Sequence, residues 1–138
     1  MKLFTIGYGG RTPDELLNLL RSHHVATIVD VRLRPDRASM GMFSLSKDPH
    51  KGIQGLLTKA GIQYVSLIEM GNVYFGMEDW PHRYRRLVDR AGDLLTERLA
   101  EIPGPPCLMC AEKRVADCHR SILAEYLTSQ GWETEHLE

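Results

Sequence analysis

Apolar residues fall along this chain in two alternating patterns. Short solid runs, "KLFTIGY", "ATIVDVRL", "IQYVSLIEMG" and "PCLMCAE", are rich in β-branched and aromatic residues and end in glycine or charge. They predict buried strands, the first over about residues 2–7. Between them apolar residues recur every three or four positions. "RTPDELLNLLRSHHV" gathers Leu16, Leu17, Leu19 and Leu20 on one broad face, with Thr12 placed to cap it, Pro13 in its first position and Glu15 completing a Thr-x-x-Glu capping box. "GIQGLLTKAG" predicts a short helix stopped by Gly61. "DWPHRYRRLVDRAGDLLTERLAEI" predicts the longest one, with Tyr84, Leu87, Val88, Ala91, Leu94, Leu95 and Leu99 at helical spacing and "PGPP" ending it. The last helix is "CHRSILAEYLTSQG", capped by Asp117 and closed by Gly131, and "WETEHL" supplies a fifth strand. The segment from Arg34 to Lys51, with Pro35, Gly41 and Pro49, reads as a long loop.

Strand–helix alternation of this kind predicts the α/β class. The expected architecture is a single three-layer domain over residues 1–138, with a mostly parallel, roughly five-stranded sheet and helices on both faces. Right-handed crossovers bring every strand's carboxyl end to one edge, where open α/β sheets bind ligands. On that edge the scattered polar residues become a group. The first strand delivers Tyr8, Gly9, Gly10 and Arg11, and the second Asp30, Arg32 and Arg34. The fourth delivers Cys110, Glu112 and Lys113, and the last helix opens with Cys118, His119 and Arg120.

Composition narrows the classes. With 43% hydrophobic and 25% charged residues the chain is ordinary globular material, and its net charge of -1 provides no global field toward nucleic acid or membrane. No stretch approaches the ~20 apolar residues of a membrane span, so no membrane partner is expected. "MKLFTIGYGG" lacks the apolar core of a signal peptide, and three cysteines do not frame a disulfide scaffold; a reducing cytoplasm is the expected location. The sequence specifies neither a cofactor nor an oligomeric state.

Three chemistries compete for the segment "CLMCAEKRVADCHRSILAEYL". Zinc is the first, but Cys107 and Cys110 lie three apart on a strand and face opposite ways, and no second spaced pair completes a closed site; no metal is assigned, and a metal on Cys110, Cys118 and His119 stays an open alternative. A thiol nucleophile is the second. Cys118 in the first turn of a helix has amide N–H groups and the dipole in its favour, with His119 and Arg120 adding positive charge; Cys110 has Lys113 and Arg114 nearby. The Cys-x5-Arg loop of thiol phosphatases and rhodanese-like sulfurtransferases is absent, since Ala116 stands six residues after Cys110. An anion cradle is the third, built from the helix N-terminus with Lys113, Arg120 and Arg32. "DVRLRP" fits either use: Asp30 and Arg32 face the same side of a strand and can pair, or Arg32 and Arg34 can grip a phosphate or carboxylate. "GYGG" lets the backbone turn and approach a ligand, without being a dinucleotide fingerprint or a P-loop.

Taken together, "TIGYGGRTPDELLNLL", "IVDVRLRP" followed by Ser39 and Phe43, "GIQYVSLIEMG" and the Cys-Ala-Glu…Cys-His-Arg segment resemble the bacterial and archaeal domain of unknown function 488 along essentially the whole chain. The motif positions fall on Gly7, Tyr8, Gly9, Asp30, Arg32, Cys110, Glu112, Cys118, His119 and Arg120. The resemblance implies a compact α/β domain with these residues near one edge, and no particular reaction. Where the family often has Leu-Gly-Gly, this chain has Met70-Gly71-Asn72.

The functional expectation is therefore a polar site that binds an anionic small molecule, a phosphate-bearing nucleotide or a nucleic-acid end. Cys118, His119, Cys110 and Glu112 are the catalytic candidates, and Tyr8, Gly9, Asp30, Arg32, Arg34, Lys113 and Arg120 the ligand-binding ones. The rival is a non-catalytic module for nucleic acid or protein, adding Arg83, Arg85 and Arg86 of "DWPHRYRR".

Overall fold

Strands β1 (Lys2–Gly7), β2 (Thr27–Asp30), β3 (Gln63–Ser66), β4 (Pro106–Cys110) and β5 (Glu133–Leu137) form one sheet in the order β3-β2-β4-β1-β5. Every pairing is parallel. The coordinates are a computed structural model describing residues 1–38 and 40–138; Ser39, one of the positions that carry the family resemblance, lies outside the described residues. Helices α1 (Pro13–Ser22) and α2 (Gly52–Lys59) cover one face, and α3 (Trp80–Leu95) and α4 (Arg120–Ser129) the other. The two-residue alternation of a strand divides β4 between these layers. Cys107 and Met109 pack with Leu16, Leu20, Ile53 and Leu57, whereas Leu108 and Cys110 pack with Tyr84, Val88, Ile122 and Leu123. Burying each such aliphatic side chain contributes about 1.5–3 kcal/mol.

Most helix signals act as expected. The Thr12 hydroxyl accepts from the Glu15 N–H, Pro13 opens α1, and Gly61 and Gly131 follow α2 and α4 at φ +77° and +98°. Three expectations need correcting. Leu94 is 70% exposed, because α3 leaves helical geometry at Ala91 and the face rotates; the buried positions are Tyr84, Val88 and Gly92. Asp117 does not cap α4. It ends a separate 3-10 turn, Val115–Asp117, and α4 begins at Arg120 with His119 as the residue before it. Cys118 consequently precedes the helix instead of occupying its first turn. The strands after residues 27 and 63 are also shorter than their apolar runs: the Asp30 carboxylate accepts from the Arg32 N–H and ends β2, and Ile68–Met70 folds as a 3-10 turn after β3.

Strand order sets where the site lies. β4 runs between β2 and β1, so the loops after all three meet at its carboxyl end. Hydrogen bonds from Tyr8 N–H to Cys110 O (3.1 Å), Gly9 N–H to Ala111 O (2.9 Å) and Val31 N–H to Met109 O (3.1 Å) carry the pairing past the strand ends. The glycines of "GYGG" serve this approach. A Cβ at Gly7 would lie 1.7 Å from Glu112 O, and one at Gly9 2.5 Å from Ala111 O. Their clearance is filled by the protein's own 111–113 backbone, which the strand-end pairing draws against β1.

Candidate functional site

A cleft of about 720 Å³ opens over the carboxyl ends of β1, β2 and β4, within the size range of small-molecule sites. Its floor is Cys110, Ala111, Glu112, Cys118 and His119; Tyr8, Arg32, Leu33, Arg34 and Arg37 form one wall, and Asn72, Phe75, Met77, Glu78, Trp80 and Asp117 complete it.

The wall after β2 rests on a buried ion pair. Arg32 donates to the fully buried Asp30 carboxylate through Nε (2.9 and 3.1 Å) and Nη2 (2.7 Å), and Tyr64 donates to the same carboxylate at 2.5 Å. Arg32 Nη1 donates to the Tyr8 hydroxyl at 3.2 Å, and its guanidinium carbon lies 5.1 Å from the centre of the Tyr8 ring. Burial works against the Arg32 charge, but the Asp30 hydrogen bonds and charge prevail and raise its pKa above the ordinary value. Burial, reinforced by the Asp30 charge, likewise raises Tyr64. Arg32 thus reaches the cleft already neutralised by Asp30. Arg34 carries only an exposed pair with Asp36 at 3.3 Å, which is weak in water, and Arg37 has no ion pair among the described residues.

The floor is organised by Arg120, which has no exposed surface. It donates through Nη1 to Glu112 O (2.7 Å) and Cys110 Sγ (2.8 Å), through Nη2 to Lys113 O (3.1 Å) and through Nε to Thr5 Oγ1 (3.3 Å). Burial lowers its pKa, and nearby anionic groups partly offset this. No carboxylate among the described residues is within salt-bridge distance of it. A buried cation held only by neutral acceptors is costly. Among the described residues, the one hydrogen-bond partner of this guanidinium that could carry a compensating negative charge is the Cys110 sulfur, and only once it is reduced. The Glu112 carboxylate, within 4.8 Å of both cysteine sulfurs, opposes that charge. The guanidinium, by contrast, hydrogen-bonds the Cys110 sulfur directly at 2.8 Å.

Cys118 is held differently. Its sulfur accepts from the Arg120 N–H at 3.4 Å and faces His119 Nδ1 at 3.6 Å. His119 Nε2 is 3.1 Å from the Val31 carbonyl, which assigns the ring proton to Nε2 and leaves Nδ1 an acceptor for the Cys118 thiol. The ring meets Tyr84 edge-on, with centroids 5.1 Å apart. Burial pushes the His119 pKa down to about 4, outweighing hydrogen bonds the ring donates to the Val31 and Met70 backbone. His119 is therefore neutral at physiological pH. The Cys110 and Cys118 sulfurs are joined as a disulfide, with Cα atoms 7.3 Å apart, and Cys107 is free and buried. Cys110, Glu112 and Cys118 also form a group of metal-ligand type. A cation there would face the Arg120 guanidinium, so this donor set does not fit one.

Of the sequence-derived site residues, the cleft brings together Tyr8, Arg32, Arg34, Cys110, Glu112, Cys118 and His119. Asp30 lies beneath it and orders Arg32. Arg120 lies beneath Cys110, Gly9 packs on Ala111, and Lys113 is exposed outside the wall. The loop "NVYFGMEDW" after β3 was not among the expected binding residues, although it follows a strand at the same edge and carries Phe75 and Met77 exposed at 77% and 42%. Arg37 was missed as well. At the Met70-Gly71-Asn72 departure the tight position is Gly71, where a Cβ would lie 2.9 Å from Ile68 O. Asn72 has room for a side chain, whose Oδ1 accepts from the Tyr74 N–H at 3.0 Å. Arg83 and Arg85 lie outside the cleft wall and pair with Asp79 and Glu125.

Fold and site together define a parallel α/β domain with a cysteine–arginine–histidine floor at the carboxyl edge of its sheet. The family model "Domain of unknown function DUF488" matches residues 12–127, and the chain belongs to that family. The matched segment includes every cleft residue except Tyr8. No curated protein and no solved structure matches the chain.

Proposed function

We propose that the cleft binds an anionic small molecule and acts on it through cysteine chemistry, with the Cys110 thiolate as nucleophile. The observation that carries this reading is the buried Arg120 guanidinium: among the described residues its one hydrogen-bond partner that becomes ionisable on reduction is Cys110 Sγ, at 2.8 Å. Arg120 holds the negative charge on sulfur, Cys118 lies beside it as a thiol oriented by His119, and Glu112 is placed to take up or return a proton. Arg34 and Arg37 at the rim supply charge for the ligand's anionic group, while Phe75, Met77 and Trp80 offer apolar surface for the remainder. A free thiolate belongs in a reducing compartment, so we place the protein in the cytoplasm. No helix among the described residues is long and apolar enough to cross a membrane.

The test is a titration of thiolate ultraviolet absorbance in the reduced protein and in Cys110→Ser, paired with alkylation mapped by mass spectrometry. Cys110 is expected to ionise well below the ordinary thiol pKa of about 8.5. Iodoacetate is expected to gain on neutral iodoacetamide relative to a free thiol, because the cleft attracts the anion. Cys107, whose pKa burial raises, serves as the unreactive internal control. Ordinary ionisation at Cys110 would remove the nucleophile, and an unchanged reagent ratio would remove the anion site.

A further inference from the structure

The two sulfurs at the cleft floor differ in kind. Arg120 Nη1 lies 2.8 Å from Cys110 Sγ and would compensate its charge once the disulfide is reduced, whereas Cys118 Sγ lies 3.6 Å from Nδ1 of the neutral His119 and would stay a thiol. The structure joins them as a disulfide, and both line the same cleft. This asymmetry is what thiol–disulfide exchange requires: one sulfur ionised to attack, and a second in reach to resolve the product. From this juxtaposition we propose that the protein is a dithiol exchange catalyst acting on low-molecular-weight disulfides of the amino-acid or peptide type. The proposal rests on the reading of Cys110 as a thiolate and extends it to a partner sulfur and a substrate class.

The step balances as follows. The Cys110 thiolate attacks one sulfur of the substrate disulfide; a bond forms between them, and the other substrate sulfur leaves as a thiolate with the bonding pair. Cys118 then attacks the Cys110 sulfur, giving its proton to the departed thiolate. The bond between Cys110 and Cys118 forms, and the second substrate sulfur leaves as a thiolate. The protein dithiol is oxidised by two electrons, and one disulfide is reduced to one thiol and one thiolate. The reverse sequence oxidises substrate thiols. Stabilisation of the reduced form by Arg120 shifts the equilibrium toward this reverse direction.

Charge in the cleft points to the substrate class. Arg34 and Arg37 on the loop after β2 suit carboxylates, and Glu112 and Asp117 on the loop after β4 suit an ammonium group. A substrate carrying both matches the two loops, and the apolar residues after β3 leave room for a short aliphatic stem.

The test incubates the reduced full chain with glutathione disulfide or with cystamine, which carries ammonium groups but no carboxylates. Closure of the bond between Cys110 and Cys118 is followed by alkylation and mass spectrometry. Glutathione disulfide is expected to close it faster than cystamine by at least about tenfold after correction for their rates with a free thiol. Arg34→Ala with Arg37→Ala is expected to abolish that preference. Cys118→Ser should accumulate a mixed disulfide on Cys110, while Cys110→Ser should react slowly at Cys118. Equal rates for the two probes would overturn the substrate class. Failure of both probes to close the bond, with Cys110 still ionising at low pH, would overturn the exchange activity and leave the thiolate reading intact. Ordinary ionisation of Cys110 would overturn both.

Discussion

Burial of His119 makes a pH-dependent contribution to stability that can be isolated by one substitution. The ring is 6% exposed and its pKa in the folded chain is about 4, against an unfolded value of about 6.5. Between these values the unfolded chain binds more protons at this position than the folded one, so stability rises with pH. The contribution is fully present above about pH 6.5 and is lost progressively as pH falls toward 4. A shift of this size corresponds to about 3 kcal/mol. His119→Gln keeps an N–H donor in reach of the Val31 carbonyl but removes the titration. Urea unfolding of both proteins at closely spaced pH values measures the difference directly. Shared carboxylates and the partly buried His136 cancel in it. The stability of the wild type relative to His119→Gln is expected to fall by about 3 kcal/mol between pH 7 and pH 4. A difference that stays flat across this window would refute a buried neutral imidazole, and with it the tautomer that points Nδ1 at Cys118.

Three further outcomes test the scaffold. Asp30→Asn leaves the Arg32 guanidinium buried without its counter-charge and should cost about 3–5 kcal/mol in urea unfolding; a loss below about 1 kcal/mol would mean that the pair is solvated. Gly7→Ala places a methyl group 1.7 Å from Glu112 O and should lower stability by more than about 4 kcal/mol or prevent folding, as read by thermal circular dichroism; an unchanged melting temperature would refute the close approach of β1 to the 111–113 loop. Replacing Arg83, Arg85 and Arg86 together by alanine should leave the melting temperature and the fluorescence anisotropy of a labelled single-stranded DNA unchanged at low salt. Salt-sensitive binding lost in that variant would favour the nucleic-acid module instead.

Periodicity alone was enough to specify the α/β class, because a parallel sheet requires solid apolar strands and covering helices, and both leave marks at short range. The capping of α1 and the opposite facing of Cys107 and Cys110 were legible for the same reason, since each depends on residues a few positions apart, whereas the pairing of Asp30 with Arg32 was one of two readings left open. Strand order was not legible. Placing β4 between β2 and β1 brings residues 8, 32, 75 and 118 into one cleft, and no local pattern records those separations. Nor did the sequence separate the two roles of a buried arginine. Arg32 and Arg120 look alike in a motif, yet a carboxylate, Asp30, neutralises one, while the hydrogen-bond partners of the other are a threonine hydroxyl, two carbonyls and the Cys110 sulfur. Which acceptors surround each guanidinium after burial is set by the tertiary structure alone.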